Sequence, residues 1–130
     1  MDMRNLFKNE PNIKNYAQGE KIFEQSELGE TMFVIMDGEI DILCKGKSIA
    51  KAMPGETLGE MSLVDKEARS ATAVALTPCK LVEVDENRFK FLVHQTPFFA
   101  LQVMKMMTKR IRCMHKSEEK KSEISVLIKS

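Results

Sequence analysis

Residues 54–73 read PGETLGEMSLVDKEARSATA, and this stretch interrupts an otherwise regular run of short strand-like segments. It contains the glycine-flanked acid Glu60, a one-turn helical pattern at Met61–Val64, and Arg69 close to the next apolar run. Glu60 and Arg69 are nine positions apart, joined by that short helix and a polar loop. The arrangement can fold back into a pocket lined by backbone N–H groups, one carboxylate and one guanidinium.

The residue types of this stretch suit an anion that also carries hydroxyl groups. N–H groups at the start of a short helix bear partial positive charge, and Gly59 lets a ligand approach closely because it has no Cβ. Arg69 offers a planar fork to two phosphate oxygens. Glu60 would repel a bare phosphate, so a sugar phosphate accounts for both charges. The alternative is a surface salt bridge between Glu60 and Arg69, worth about 0–1 kcal/mol.

Short strands on both sides of this stretch predict a β-barrel. Turn residues recur at roughly 8–12-residue intervals, as they do in barrels and sandwiches. The predicted strands are Lys21–Phe23, Thr31–Met36, Glu39–Cys44, Ser48–Met53, Ala71–Leu76 and Lys80–Asp85. Asp37-Gly38 predicts a hairpin with a type I′ turn, which needs positive φ at both central positions. The fold class is therefore mainly β with C-terminal helices, a jelly-roll barrel (double-stranded β-helix).

Helical patterns begin after the barrel. Asp85 is placed to cap a helix over Glu86–Gln95, and Pro97 suits the first turn of a second helix reaching about Lys120. The second helix carries an apolar stripe at three- and four-residue steps: Leu101, Met104, Met107 or Thr108, Ile111 and Met114. This stripe fits either packing on the barrel or a coiled-coil seam that forms a homodimer, and the sequence leaves both open.

Length and composition predict one soluble, cytoplasmic domain. The 130 residues fit a domain over 1–115, with the barrel at 12–85 and helices at 86–115, and a charged tail at 116–130. No apolar run approaches the roughly 20 residues of a membrane span, and the three cysteines are not at metal-ligand spacing. Residues 101–130 carry 8 basic against 3 acidic residues, but no helix-turn-helix follows, so we read the charge as a solvated helix face.

The segments LGEMSL at 58–63 and RSAT at 69–72 resemble the phosphate-binding cassette of cyclic nucleotide-binding domains. That family includes the catabolite activator protein, kinase regulatory subunits and gated channels. The resemblance covers roughly Leu6 to Met114 and includes GEKIF at 19–23, Gly29 and Gly38. It implies a short N-terminal helix, a cassette helix, two C-terminal helices and a regulatory, non-catalytic domain. The 130 residues contain no DNA-binding part like that of the activators, so we expect a stand-alone module, with a fragment of a longer protein as the alternative.

The resemblance also assigns roles by position. It implies Glu60 on the ribose 2′-hydroxyl and Arg69 on the exocyclic phosphate oxygens, with N–H groups near Ser62 and Ser70 completing the cradle. The candidate site residues are Leu58, Gly59, Glu60, Met61, Ser62, Arg69, Ser70, Ala71 and Met114. Met114 and His115 stand where the catabolite activator protein has a Thr-Ser pair that reads adenine. Met114 would instead cap the base by packing, which leaves cyclic AMP and cyclic GMP both open.

The sequence therefore predicts a sensor of a cyclic purine nucleotide that signals through movement of the C-terminal helices. One alternative is a degenerate barrel that dimerises as a protein-interaction module without nucleotide. Another is a metal-dependent enzyme of the cupin kind, which needs several His and carboxylate ligands inside the barrel. The chain has only His94 and His115, both in the helical half, so we predict no metal and no catalysis. Nothing in the residues names the effector.

Overall fold

Eight short strands form two four-stranded sheets in the computed structural model, which describes residues 3–111. The strands are β1 (Lys14–Tyr16), β2 (Lys21–Phe23), β3 (Met32–Asp37), β4 (Ile40–Cys44), β5 (Lys47–Ala52), β6 (Thr57–Leu58), β7 (Thr72–Ala75) and β8 (Cys79–Val84). A 3₁₀ helix, Met3–Phe7, precedes them. The helices are α1 (Glu60–Asp65), α2 (Glu86–Gln95) and α3, which runs from residue 98 to residue 111, the last described.

The two sheets confirm the predicted jelly-roll fold. One sheet has the order β1-β8-β3-β6 and the other β2-β7-β4-β5, and every pairing is antiparallel. Consecutive strands alternate between the sheets at most connections, as Greek-key topologies require. The sequence missed β6 because two residues are too few to show alternation, and it missed β1 because its three residues, KNY, are mostly polar and exposed.

The predicted hairpin at Asp37-Gly38 is wrong. β3 pairs with β8 and β6, whereas β4 pairs with β5 and β7, so the chain crosses between the sheets at this point. Gly38 has a φ of 91°, and a Cβ there would lie 2.5 Å from the Pro78 carbonyl oxygen, so the glycine allows two connections to approach closely. The two positive φ values of a tight hairpin occur instead at Lys45 and Gly46, between β4 and β5.

Two apolar cores share the strand β3, in which four consecutive residues, 32 to 35, are buried. Phe33 and Ile35 point into the barrel between the sheets. Met32 and Val34 point the other way, against the 3₁₀ helix, α2 and α3. Because successive side chains of a strand lie on opposite faces, this continuous apolar run means that both faces of the sheet are covered.

The helices pack on the outside of the first sheet. Asp85 caps α2 as predicted, accepting a hydrogen bond from the Arg88 N–H at 2.8 Å. Phe99 and Val103 bury α3 in the same outer core. Within residues 3–111, no helix combines the length and the hydrophobicity of a membrane-spanning segment. The predicted helix end near Lys120, the domain boundary at residue 115 and the tail lie outside the described residues.

Candidate ligand-binding site

A cavity lies between the second sheet, the cassette (residues 58–72) and α3. Eight of the nine sequence-predicted site residues line it: Leu58, Gly59, Glu60, Met61, Ser62, Arg69, Ser70 and Ala71. The ninth, Met114, lies outside the described residues. The sequence did not name the other lining residues, which are Phe23, Ile42, Ile49, Ala50, Met107, Arg110 and Ile111. Most of these are apolar and come from β4, β5 and α3.

The guanidinium of Arg69 fits a slot between two glycines. A Cβ at Gly29 would lie 2.4 Å from Arg69 Nε, and one at Gly59 would lie 2.6 Å from Nη1, so a side chain at either position would displace the guanidinium. Nη1 donates to the carbonyl oxygens of Thr31 at 2.7 Å and Gly59 at 3.1 Å. The guanidinium carbon lies 4.4 Å from the centre of the Phe23 ring. The barrel thus sets the position of Arg69.

The charge of Arg69 has no direct counter-ion in the part of the chain that the structure describes. The residue is 6% exposed, yet no carboxylate oxygen of residues 3–111 lies within 4.0 Å of its nitrogens. Burial lowers the pKa of the guanidinium from its usual value, although nearby carboxylates such as Glu27 act in the opposite direction. A buried cation beside a cavity is stabilised when an anion enters that cavity.

Glu60 has a different partner from the one that the sequence indicated. Its carboxylate, in a residue 3% exposed, accepts from Arg110 Nη1 at 2.7 and 2.9 Å and from the Thr57 hydroxyl. Arg110 also donates to the Thr57 carbonyl oxygen. The alternative of a surface salt bridge between Glu60 and Arg69 is wrong, because both residues are buried and Glu60 pairs with Arg110.

Arg110 is the functional candidate that sequence reasoning missed. The basic residues of the C-terminal segment were interpreted as one solvated face, whereas only 18% of the Arg110 side chain is exposed. A signal was present, because Arg110 follows Val103 by seven positions and Met107 by three, on the face of α3 that packs inward. A cation on a buried helical face needs an anionic partner. Its partner, Glu60, lies on another element fifty residues away.

The cassette helix begins where the sequence predicts a close backbone approach. Gly59 precedes α1 with a φ of 78°, a left-handed conformation that favours glycine. Leu63 anchors the helix in the outer core, which aims its first turn at the cavity. N–H groups in the first turn of a helix have no intrahelical partner, so they are free to bind an acceptor. Ser70 is exposed, and its hydroxyl lies 3.9 Å from the Met61 sulfur.

Comparison with known proteins agrees with the resemblance read from the cassette. Residues 13–96 match the sequence profile of the cyclic nucleotide-binding domain family. A cyclic AMP receptor protein from Thermus thermophilus is 30% identical over 102 residues, covering 75% of this chain and 47% of that protein. A cAMP-dependent protein kinase regulatory subunit from Yarrowia lipolytica is 31% identical over 77 residues, covering 59% of this chain and 20% of that protein.

A solved structure extends the likeness to three dimensions. The catabolite activator protein of Thermus thermophilus superimposes with a TM-score of 0.68 at 29% identity, over 89% of this chain and 54% of that one. The chain thus spans less than half the length of the two curated relatives. It belongs to the cyclic nucleotide-binding domain family, a family of regulatory rather than catalytic domains.

Proposed function

We propose that this chain binds a cyclic purine nucleotide, cyclic AMP or cyclic GMP, as a regulatory sensor. One observation carries the proposal: the buried Arg69 guanidinium has no direct carboxylate partner among residues 3–111 and borders a cavity that also holds the Glu60 carboxylate. A ligand with an anion next to a hydroxyl satisfies both groups, and a cyclic phosphate fused to a ribose is such a ligand. The free thiols of Cys44 and Cys79 suit a cytoplasmic location.

At the phosphate end, Arg69 would donate to the exocyclic phosphate oxygens. The first turn of the cassette helix, near Ser62, and the N–H of Ser70 would add backbone donors. Each charge-assisted hydrogen bond contributes about 1.5–3 kcal/mol. Three or four of them, less the cost of ordering the ligand, give about 8 kcal/mol, which corresponds to a dissociation constant of about 1 μM.

At the ribose end, Glu60 would accept a hydrogen bond from the 2′-hydroxyl. A carboxylate has about four acceptor positions, and Thr57 and Arg110 already fill three of them. The ribose hydroxyl must therefore take the last position or displace Arg110. Displacement of Arg110 would release α3 from the cassette at this contact, so a ligand that displaces it would shift the population of α3 positions.

At the base end, the described side chains are apolar. Ile42, Ile49 and Ala50 of β4 and β5 line the cavity, as does Met107 from α3. Such walls would hold either purine by packing, so they support both nucleotides. Met114 remains our candidate for the residue that caps the base.

Isothermal titration calorimetry with cyclic AMP and cyclic GMP tests the proposal. We expect a dissociation constant of about 1 μM for at least one of them. Arg69→Lys should lose most of this binding, whereas the matched control Arg88→Lys should keep it, because Arg88 pairs with Glu10 and does not line the cavity. Absence of heat with both nucleotides, in protein that unfolds cooperatively, would contradict the proposal.

A second function, dimerisation, is favoured by the solvent-facing side of α3. Phe99, Val103 and Met107 pack inward, whereas Leu101, Met104 and Ile111 are exposed. The exposed residues, with Thr108 among them, follow the steps of three and four that a coiled-coil seam uses. The Thr108 hydroxyl donates to the Met104 carbonyl oxygen at 2.9 Å, so it adds no unsatisfied group to this seam.

We propose that this seam pairs with a second copy of the chain, whether or not nucleotide binds. Leu101→Glu combined with Met104→Glu should shift the protein from dimer to monomer in analytical ultracentrifugation. Gln102→Glu, off the seam on the same helix, should leave the dimer intact. Wild-type protein that sediments as a monomer even at about 100-fold the concentration used for the variants would contradict the proposal.

A further inference from the structure

Glu83 is an acidic residue on the inward face of β8, and the residues that precede it on that face of the strand are apolar. Cys79 and Leu81 on this face belong to the barrel core, and Glu83 follows at the same period of two. Its carboxylate accepts from the Thr31 hydroxyl at 2.9 Å and from the Lys14 ammonium at 2.7 Å. Glu83 does not line the ligand cavity, so the function proposed above gives it no role.

Thr31 connects this carboxylate to Arg69. A threonine hydroxyl has a single proton, and an ionised carboxylate can only accept, so that proton points to Glu83. The oxygen lone pairs of the hydroxyl are left for Arg69 Nη2, at 3.4 Å. The carbonyl oxygen of the same residue accepts from Arg69 Nη1 at 2.7 Å. Thr31 therefore holds both terminal nitrogens of the guanidinium.

Charges of opposite sign alternate along these contacts, from Lys14 to Glu83 to Arg69. Burial acts to raise the pKa of Glu83, but hydrogen bonds from Lys14 and Thr31 outweigh it and bring that pKa below its usual value. Glu83 is therefore ionised at neutral pH and lies one hydroxyl away from Arg69. Glu83 supplies a nearby negative charge through the Thr31 hydroxyl, and its carboxylate does not itself contact the Arg69 nitrogens.

We propose that Thr31 and Glu83 are positioning residues that hold the Arg69 guanidinium ready at the anion end of the cavity. A guanidinium that is already oriented loses less conformational freedom when the ligand binds, which favours affinity. A direct carboxylate contact would instead compete with an incoming phosphate for the same nitrogens. The effect on affinity rests on the proposed function, whereas the effect on Arg69 itself does not.

The first test measures dissociation constants for cyclic AMP and cyclic GMP by calorimetry. Thr31→Val removes the hydroxyl and keeps the carbonyl contact and the shape, and we expect binding about tenfold weaker. Thr31→Ser should recover wild-type affinity within about twofold, and Glu83→Gln should weaken binding about fivefold. Glu24→Gln, which removes an exposed carboxylate paired with Lys21, is the matched control and should change nothing.

A double-mutant cycle separates positioning from general stability. In an Arg69→Lys background, Thr31→Val should have no further effect on affinity, because lysine cannot use the hydroxyl in the same way. A purely structural role for Thr31 would weaken binding equally in both backgrounds. That equal loss would overturn the inference.

The second test needs no ligand. Hydrogen exchange of the Arg69 Nε–H group, measured by ¹⁵N NMR in the free protein, should be faster in Thr31→Val and Glu83→Gln than in wild type. If wild type binds neither nucleotide, the proposed function fails while faster exchange still supports the positioning role. Unchanged exchange in both variants would overturn that role, whatever the affinities.

Discussion

Arg69 and Glu60 lie at two sides of one cavity, and different parts of the molecule hold them. The barrel holds Arg69, through the carbonyl oxygens of Thr31 and Gly59 and the Phe23 ring. Glu60 is held from two sides, by the Thr57 hydroxyl of β6 and by two hydrogen bonds from Arg110 of α3. The anion side is thus built into the barrel and cassette, whereas the hydroxyl side depends also on where α3 lies.

This difference separates binding from signalling. A ligand group that binds Arg69 occupies a site that needs no rearrangement of helices. A ligand group that binds Glu60 must share that carboxylate with Arg110 or displace it, so its binding affects α3. Binding energy from the first side can therefore drive movement on the second, provided that the two α3 positions differ in affinity.

Arg69→Lys should have the largest effect on ligand affinity. Lysine keeps the charge but loses the fork and the stacked contact, and we expect binding at least about 100-fold weaker. Calorimetry measures the loss, and thermal unfolding of the free protein checks that the fold persists. Near-normal affinity in a folded Arg69→Lys protein would mean that the barrel side is not the anion site.

Glu60→Gln should weaken binding about 30-fold and also destabilise the free protein. Arg110 would remain largely buried with no counter-charge, and breaking a buried pair costs about 3–5 kcal/mol, less here because Arg110 is partly exposed. Urea unfolding measures the change. In the double variant Glu60→Gln with Arg110→Gln, part of that stability should return, since neither charge is left alone.

Arg110→Met should raise ligand affinity by about fivefold while lowering the stability of the free protein, because Glu60 becomes available to the ribose hydroxyl. Lys109→Met is the matched control: this neighbour in α3 is mostly exposed and lies 3.6 Å from Glu56, so it should change little. Weaker binding by Arg110→Met would mean that Arg110 contacts the ligand itself and does not compete with it for Glu60.

Ser70→Ala should have the smallest effect, a loss of about two- to threefold in affinity. Its hydroxyl is exposed and has a weak contact with the Met61 sulfur, whereas its N–H group, the proposed donor, survives the substitution. A loss as large as that of Arg69→Lys would show that the hydroxyl carries much of the anion contact.

Much of the fold was predictable because it follows from local patterns. The six predicted strands agree with the observed ones to within one residue at each end, although β1 and β6 were missed, and the capped helix Glu86–Gln95 was predicted at its observed bounds. The hairpin at Asp37-Gly38 was predicted wrongly because a turn dipeptide does not say which strands pair. There the chain passes from one sheet to the other.

The candidate site divides in the same way. Sequence alone placed Glu60 and Arg69 at one pocket, because a glycine-flanked acid and an arginine lie within a single loop. It could not identify Arg110, nor show that Gly29, which the resemblance includes, lies beside the guanidinium, since these residues are 50 and 40 positions away from the groups they contact. Local spacing determines which residues share a face or a loop. Contacts between distant segments depend on how sheets and helices pack, so these contacts can be read from the tertiary structure and not from local spacing.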